Sequence, residues 1–164
     1  MRGEYQLSKG AFLPISAFAT RCSGIAKAVI EDADLPTDHS KLALGGFSAG
    51  GDLSLAIAQM EGIRGRIGKL IAIYPAVDFS GTYRGTFKTT KDGKSDVLKN
   101  MINLFDWGYI SKGQDRMDPL LSPIYAKREN LPPRMFFIGA EYDMLCHEAE
   151  VMALHLAGKV QIPR

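Results

Sequence analysis

The chain has 164 residues, 46% hydrophobic and 23% charged, with a formal net charge of +2: enough for one domain with a real core and too few for two ordinary ones. Charges of both signs are scattered, with no basic stripe interleaved with aromatics, which excludes nucleic acid as a partner, and no apolar run is long enough to span a bilayer. Met1-Arg2-Gly3-Glu4 leads into no signal-peptide h-region, and Cys22 and Cys146 stand far apart in no metal spacing, so they read as reduced thiols of a cytoplasmic protein.

Residues 4–8 read as the end of a strand, and Pro14 opens a helical stretch. From Ile15 to Ile30 the positions Phe18, Ile25, Ala28 and Val29 predict one buried helical face. Asp32, Asp34, Pro36 and Asp38 form a polar turn. A short apolar stretch, Leu42, Ala43 and Leu44, then enters a G-x-S-x-G pattern at Gly46, Ser48 and Gly50. Helix-compatible residues from Leu53 to Met60 follow at once. Strand, sharp turn and helix in that order are the context of a nucleophile elbow, in which a strained turn lifts the serine hydroxyl above the sheet. Gly46 and Gly50 are expected to let strand and helix approach closely. The N–H of Ala49, at the helix start, is expected to point where a carbonyl oxygen becomes negative. The competing reading of the same residues is a Gly-rich turn with Ser48 as a helix N-cap.

After a loop punctuated by Gly62, Gly65 and Gly68, residues Leu70 to Tyr74 run apolar without alternation until Pro75. That pattern predicts a strand buried on both faces, as in a parallel sheet between helical layers. From Phe79 to Asp118 the chain is first polar, then amphipathic from Val97 to Trp107 and Tyr109. This is an excursion from the sheet, a cap-like insertion over roughly residues 80–118 within a single domain. Pro119, Pro123, Pro132 and Pro133 lead to a third buried strand, Met135 to Ile138. A helix with Val151, Leu154 and Leu156 follows, closed by Gly158, and Val160 to Ile162 read as the start of a further strand. Alternating strands and helices predict an α/β fold with a mainly parallel sheet in three layers, α/β/α. Ligands gather at the carboxyl ends of such strands, and Ser48 and Asp143 both follow strand ends, so both are expected on one rim.

Several segments, in this order, carry a family resemblance. Gly46-Phe47-Ser48-Ala49-Gly50-Gly51-Asp52-Leu53 is similar to a G-[DF]-S-A-G-G-x-L elbow. Ile73-Tyr74-Pro75 resembles an I-Y-P strand end, and Asp118-Pro119-Leu120-Leu121-Ser122-Pro123 a D-P-L-x-S-P segment. Leu131-Pro132-Pro133 with Gly139 to Leu145 resembles an L-P-P…A-E-x-D-x-L acid loop. Tyr5-Gln6-Leu7 with Pro14 is a weaker echo of a Y-R-L-A-P-E…P stretch. Together they resemble the α/β-hydrolase fold, and within it the hormone-sensitive-lipase-like carboxylesterases (the alpha/beta hydrolase fold-3 type). The resemblance implies Ser48 as nucleophile, Asp143 as triad acid and a small-molecule carboxylic ester as substrate. It implies no metal and no organic cofactor. A serine hydroxyl needs a base to become nucleophilic, and the acid holds that base in the right tautomer.

Two parts of the family pattern do not appear. None of His39, His147 and His155 is followed by glycine, so the H-G-G-G oxyanion segment is missing. In this fold the base follows the acid on the loop after one more strand, and no histidine occupies that place. His147, four residues after Asp143, is spaced to contact it but reads as a helix-start residue; His39 and His155 also read as structural. The chain is therefore expected to be the central and C-terminal part of a longer esterase, inactive or weak alone. Its elbow strand is expected to expose an unpaired edge and a hydrophobic face. The alternative is a non-catalytic, small-molecule-binding homologue that has lost the histidine.

Overall fold

Three strands and three helices order the computed structural model, which describes residues 15–35, 38, 41–83 and 108–162. In chain order these are α1 (Ile15–Glu31), β1 (Ala43–Phe47), α2 (Ala49–Ala58), β2 (Lys69–Ile73), β3 (Arg134–Ile138) and α3 (Cys146–Leu156). Short 3-10 turns at Pro123–Tyr125 and Arg128–Asn130 lead into β3. The sheet order is β1-β2-β3, and both pairings are parallel. Their registers align in rows, so Gly45, Ile71 and Phe136 form one row and Ala43, Lys69 and Arg134 another. Parallel pairing requires a crossover between strands, and α2 supplies the first one.

Side chains alternate across a strand, so Leu44, Leu70, Ala72, Met135 and Phe137 share one face. That face packs on Leu55 and Ala58 of α2 and on Met152, Val151 and Leu156 of α3, forming the main core. Ala19 and Ile30 of α1 join Leu53 and Ile57 of α2 in a second cluster, with Leu42 and Leu44 at its edge. All three helices therefore lie on one side of the sheet. Of the two helical layers expected from sequence, the described residues supply one.

The opposite face is uncovered among the described residues, which corrects the expectation of strands buried on both faces. Phe47 and Phe136 are each 61% exposed, and Ile71 and Ile138 about 40% exposed. Lys69 and Arg134 stand side by side at the amino end of this face. As expected for the elbow strand, β1 is at a sheet edge among the described residues. A groove of about 580 Å³ runs along that edge, lined by Cys22, Leu44, Phe47, Leu53, Ile57 and Ile71 among others.

The buried face of α1 also differs from the sequence expectation. Ala19, Ser23 and Ile30 are buried, with Cys22 and Ala26 half-buried, whereas Ile25 is 55% exposed and Ala28 is exposed. Phe18, as expected, packs on the cluster shared with α2 beside Ala19, Cys22, Ala26 and Ile30, whereas Ile25 is turned outward. At the other end of the chain, Gly158 adopts φ +72, and N–H groups of Gly158 and Lys159 donate to the carbonyls of His155 and Leu154. This is a Schellman cap, as the glycine's position suggested. Residues 160–162 form no strand among the described residues; the Val160 carbonyl lies 3.0 Å from His155 Nδ1 instead of in a ladder.

Most of the segment expected to be a cap-like insertion, residues 84–107, lies outside the described residues, as do residues 4–8 and His39. The described end of the insertion is tied to the body. Tyr109 stacks on Phe79 with ring centroids 5.3 Å apart, and Arg116 donates to the Phe79 carbonyl at 2.9 Å. Buried Ser122, in the D-P-L-L-S-P turn, accepts from Phe79 N–H (2.9 Å) and donates to the Arg116 carbonyl (2.6 Å).

Candidate active site

Ser48 leaves β1 and opens α2 with φ 51 and ψ −121. A non-glycine residue with positive φ is uncommon, costs on the order of 1–3 kcal/mol and persists only where its surroundings over-determine it. Here the surroundings are explicit. Ser48 N–H continues the ladder by donating to the Ile73 carbonyl at 2.9 Å. Its own carbonyl accepts from Gly51 and Asp52 N–H at 2.9 and 3.2 Å. The backbone thus belongs to the strand on one side and to the helix on the other, and the sharp reversal falls on this single residue. The Ser48 side chain makes no capping hydrogen bond, so it is not a side-chain N-cap.

Close approach makes the reversal feasible. A β-carbon at Gly46 would overlap the Gly50 carbonyl and come within 2.8 Å of Gly51 N. One at Gly51 would lie 2.9 Å from Pro75 Cβ and 3.2 Å from the Gly46 carbonyl oxygen. Gly50 itself was expected to be a contact glycine, yet a β-carbon there would meet nothing within 4 Å. The tight contact is between its backbone and Gly46, and the second tight glycine is Gly51. Ala49 is the first residue of α2 and is exposed; an N–H at that first position has no carbonyl partner within its own helix.

Asp143 follows β3 on the same carboxyl edge of the sheet. Its Oδ1 accepts from Leu145 N–H at 3.0 Å, and its carbonyl accepts from Cys146 N–H at 3.2 Å, so the residue shapes the turn into α3. It is half-buried. With neighbouring strands about 4.8 Å apart, the axes of β1 and β3 are separated by roughly 10 Å at this edge. Sheet order thus puts both sequence-predicted residues, Ser48 and Asp143, on one rim, with the Tyr74-Pro75 turn between them. Tyr74 also has positive φ (36) and stacks against Phe47 at 5.9 Å. Of the described histidines, His147 is exposed in the first turn of α3, and His155 engages Val160 at the far end of that helix.

Two acidic residues not singled out from sequence lie just beneath. Asp52 is fully buried in α2, and Glu148 is 1% exposed in the first turn of α3. Glu148 Oε1 accepts from Val77 N–H at 2.7 Å and Asp78 N–H at 3.3 Å, in the loop after β2. Tyr109 donates its hydroxyl to Asp52 Oδ2 at 3.0 Å. Burial pushes the Asp52 carboxyl well above the ordinary carboxylate range; the Tyr109 hydrogen bond opposes this, and the Glu148 charge reinforces it. An acid inside an otherwise apolar helical run was the sequence signal available for Asp52.

A model of the alpha/beta hydrolase fold family matches residues 13–162. The chain belongs to that family. This α/β hydrolase is 33% identical over 127 residues to an arylesterase of Saccharolobus solfataricus, covering 75% of its own length and 40% of that protein. Among solved structures, the Pyrobaculum calidifontis esterase superposes with a TM-score of 0.73 and 32% identity, over 90% of this chain and 49% of that one. A hormone-sensitive lipase from a metagenome library gives a TM-score of 0.71 at 22% identity, over 94% and 51%, a likeness of fold. The resemblance to the hormone-sensitive-lipase-like carboxylesterases read from these motifs therefore stands. The α/β hydrolase spans about half the length or less of these relatives. No helix among its described residues is long and apolar enough to cross a membrane.

Proposed function

We propose that this α/β hydrolase carries the nucleophile and the acid of a serine carboxylesterase acting on small carboxylic esters. The observation that carries the reading is the positive φ of Ser48 at the junction of β1 and α2. In the proposed reaction Ser48 Oγ attacks the ester carbonyl while a histidine removes its proton, and Asp143 orients that histidine. Ala49 N–H, with further backbone amides, holds the oxyanion. Collapse expels the alcohol, which takes the proton from the imidazolium, and water then releases the acid from the acyl-serine. His147 and His155 lie on the helix that follows the acid, not on the loop after a further strand where this fold carries its base, and the sequence has no H-G-G-G segment, so the 164 residues alone are expected to turn over weakly.

The test is fluorophosphonate labelling followed by peptide mass spectrometry, run beside p-nitrophenyl ester hydrolysis. The expected result is slow labelling at Ser48, none in Ser48→Ala, and turnover about 10³-fold or more below an intact esterase. Rapid turnover would overturn the placement of the base outside these histidines. A folded chain whose Ser48 stays unlabelled would overturn the esterase reading.

A further inference from the structure

We propose that Asp52 and Glu148 form a buried carboxyl pair holding one proton between them, and that this pair positions the serine-bearing and acid-bearing turns relative to each other. The inference rests on the carboxylesterase reading for its functional meaning, and on separate observations for its chemistry. Asp52 lies four residues after Ser48 on α2, and Glu148 five residues after Asp143 on α3. Glu148 also holds the loop after β2 through the N–H groups of Val77 and Asp78. The three connections that leave the carboxyl edge of the sheet, after β1, β2 and β3, thus converge on two side chains that are 0% and 1% exposed.

Two ionised carboxylates in such a place would be prohibitive, because each charge loses its hydration and repels the other. The hydrogen bonds indicate which group keeps the proton. Glu148 accepts two backbone N–H groups on one oxygen, a pattern that favours the ionised form. Among the described residues, Asp52 accepts the Tyr109 hydroxyl on Oδ2, and its Oδ1 has no hydrogen-bond partner. A proton on Oδ1 removes one of the two buried charges and turns that atom into a donor. Among the described residues, the titratable groups acting on Asp52 are Tyr109 and Glu148. Asp78, in the loop that Glu148 holds, is itself engaged by Ser80 and by Tyr83 N–H.

The sign of the pH dependence follows. The folded-state value of Asp52 is raised, so its contribution to stability is complete below the ordinary Asp value of about 3.9 and is lost as pH rises through the raised value. Asp52→Asn reproduces the neutral acid, keeping an acceptor for Tyr109 and a donor, and it cannot ionise.

The experiment uses the full 164-residue chain with Asp52→Asn, Glu148→Gln and Glu148→Ala. Infrared spectra at neutral pH should show a protonated-carboxyl stretch that disappears in Asp52→Asn. Stability in urea should fall with rising pH in the unsubstituted chain and lose that slope in Asp52→Asn. Amide exchange read by NMR at positions 49–52, 77–78 and 144–146 should accelerate together by about tenfold or more in Glu148→Ala, and by far less in Glu148→Gln and Asp52→Asn. A missing carboxyl band, or an unchanged pH slope in Asp52→Asn, overturns the shared proton. Exchange that accelerates only at positions 77–78, or equally in the conservative variants, overturns the positioning role. These readouts need no activity, so an unlabelled Ser48 would count against the esterase reading alone.

Discussion

At position 46 the backbone of the following helix occupies the space where a β-carbon would stand. Gly46→Ala therefore forces β1 and α2 apart at the residue whose geometry matters most, Ser48. The expected outcome is a loss of at least about 2 kcal/mol in urea unfolding together with loss of fluorophosphonate labelling, because the strained turn relaxes. Gly50→Ala, facing open space, should cost about 1 kcal/mol or less in the same assay and serves as its control. Much of this was legible from sequence, since G-x-S-x-G between an apolar stretch and a helix pattern allows few backbones. The distinction between Gly50 and Gly51 was not, because spacing does not reveal that Pro75 lies against the second. Asp52 and Glu148 escaped for a related reason: an acid in a helix reads as solvated until the element opposite it is known.

Elements were read well where one residue type fixes a boundary, and less well where a face had to be chosen. Gly158 marked the end of α3, and Pro75 the end of β2, because each forbids continuation. The buried face of α1 includes Phe18 as expected but not Ile25 or Ala28, because apolar residues surround the helix and Ala19, Cys22, Ala26 and Ile30 are the ones turned to α2. Within α3 the decisive contact is Met152, 0% exposed against the sheet core. Met152→Ala should lower stability by about 3 kcal/mol, with the denaturant slope unchanged. If α3 fixes the acid turn, the same variant should raise amide exchange at 144–146 more than in β1.

For the whole molecule, the sequence indicates more cover than the described residues provide. The strand sequences Lys-Leu-Ile-Ala-Ile and Arg-Met-Phe-Phe-Ile are those of strands enclosed on both sides, and the α/β class was legible from them. Only one helical layer is present among the described residues, and the relatives are about twice as long. Ile71→Thr combined with Phe136→Thr should reduce self-association in light scattering and binding of an apolar dye. Stability should change by no more than about 1 kcal/mol, because neither side chain leaves the core. A large loss of stability would show that this face is covered in the isolated chain.

Rows of the sheet run in register, and this gives the uncovered surface a direction. The two cations, Lys69 and Arg134, sit at one end of it, and the side chains of Phe47, Ile73 and Ile138 at the other, next to the rim that bears Ser48. A body resting there would meet a gradient from charged to oily over about 14 Å, four residue steps along each strand. It would therefore be aligned head to tail before any detailed fit was made, its acidic end kept away from the serine.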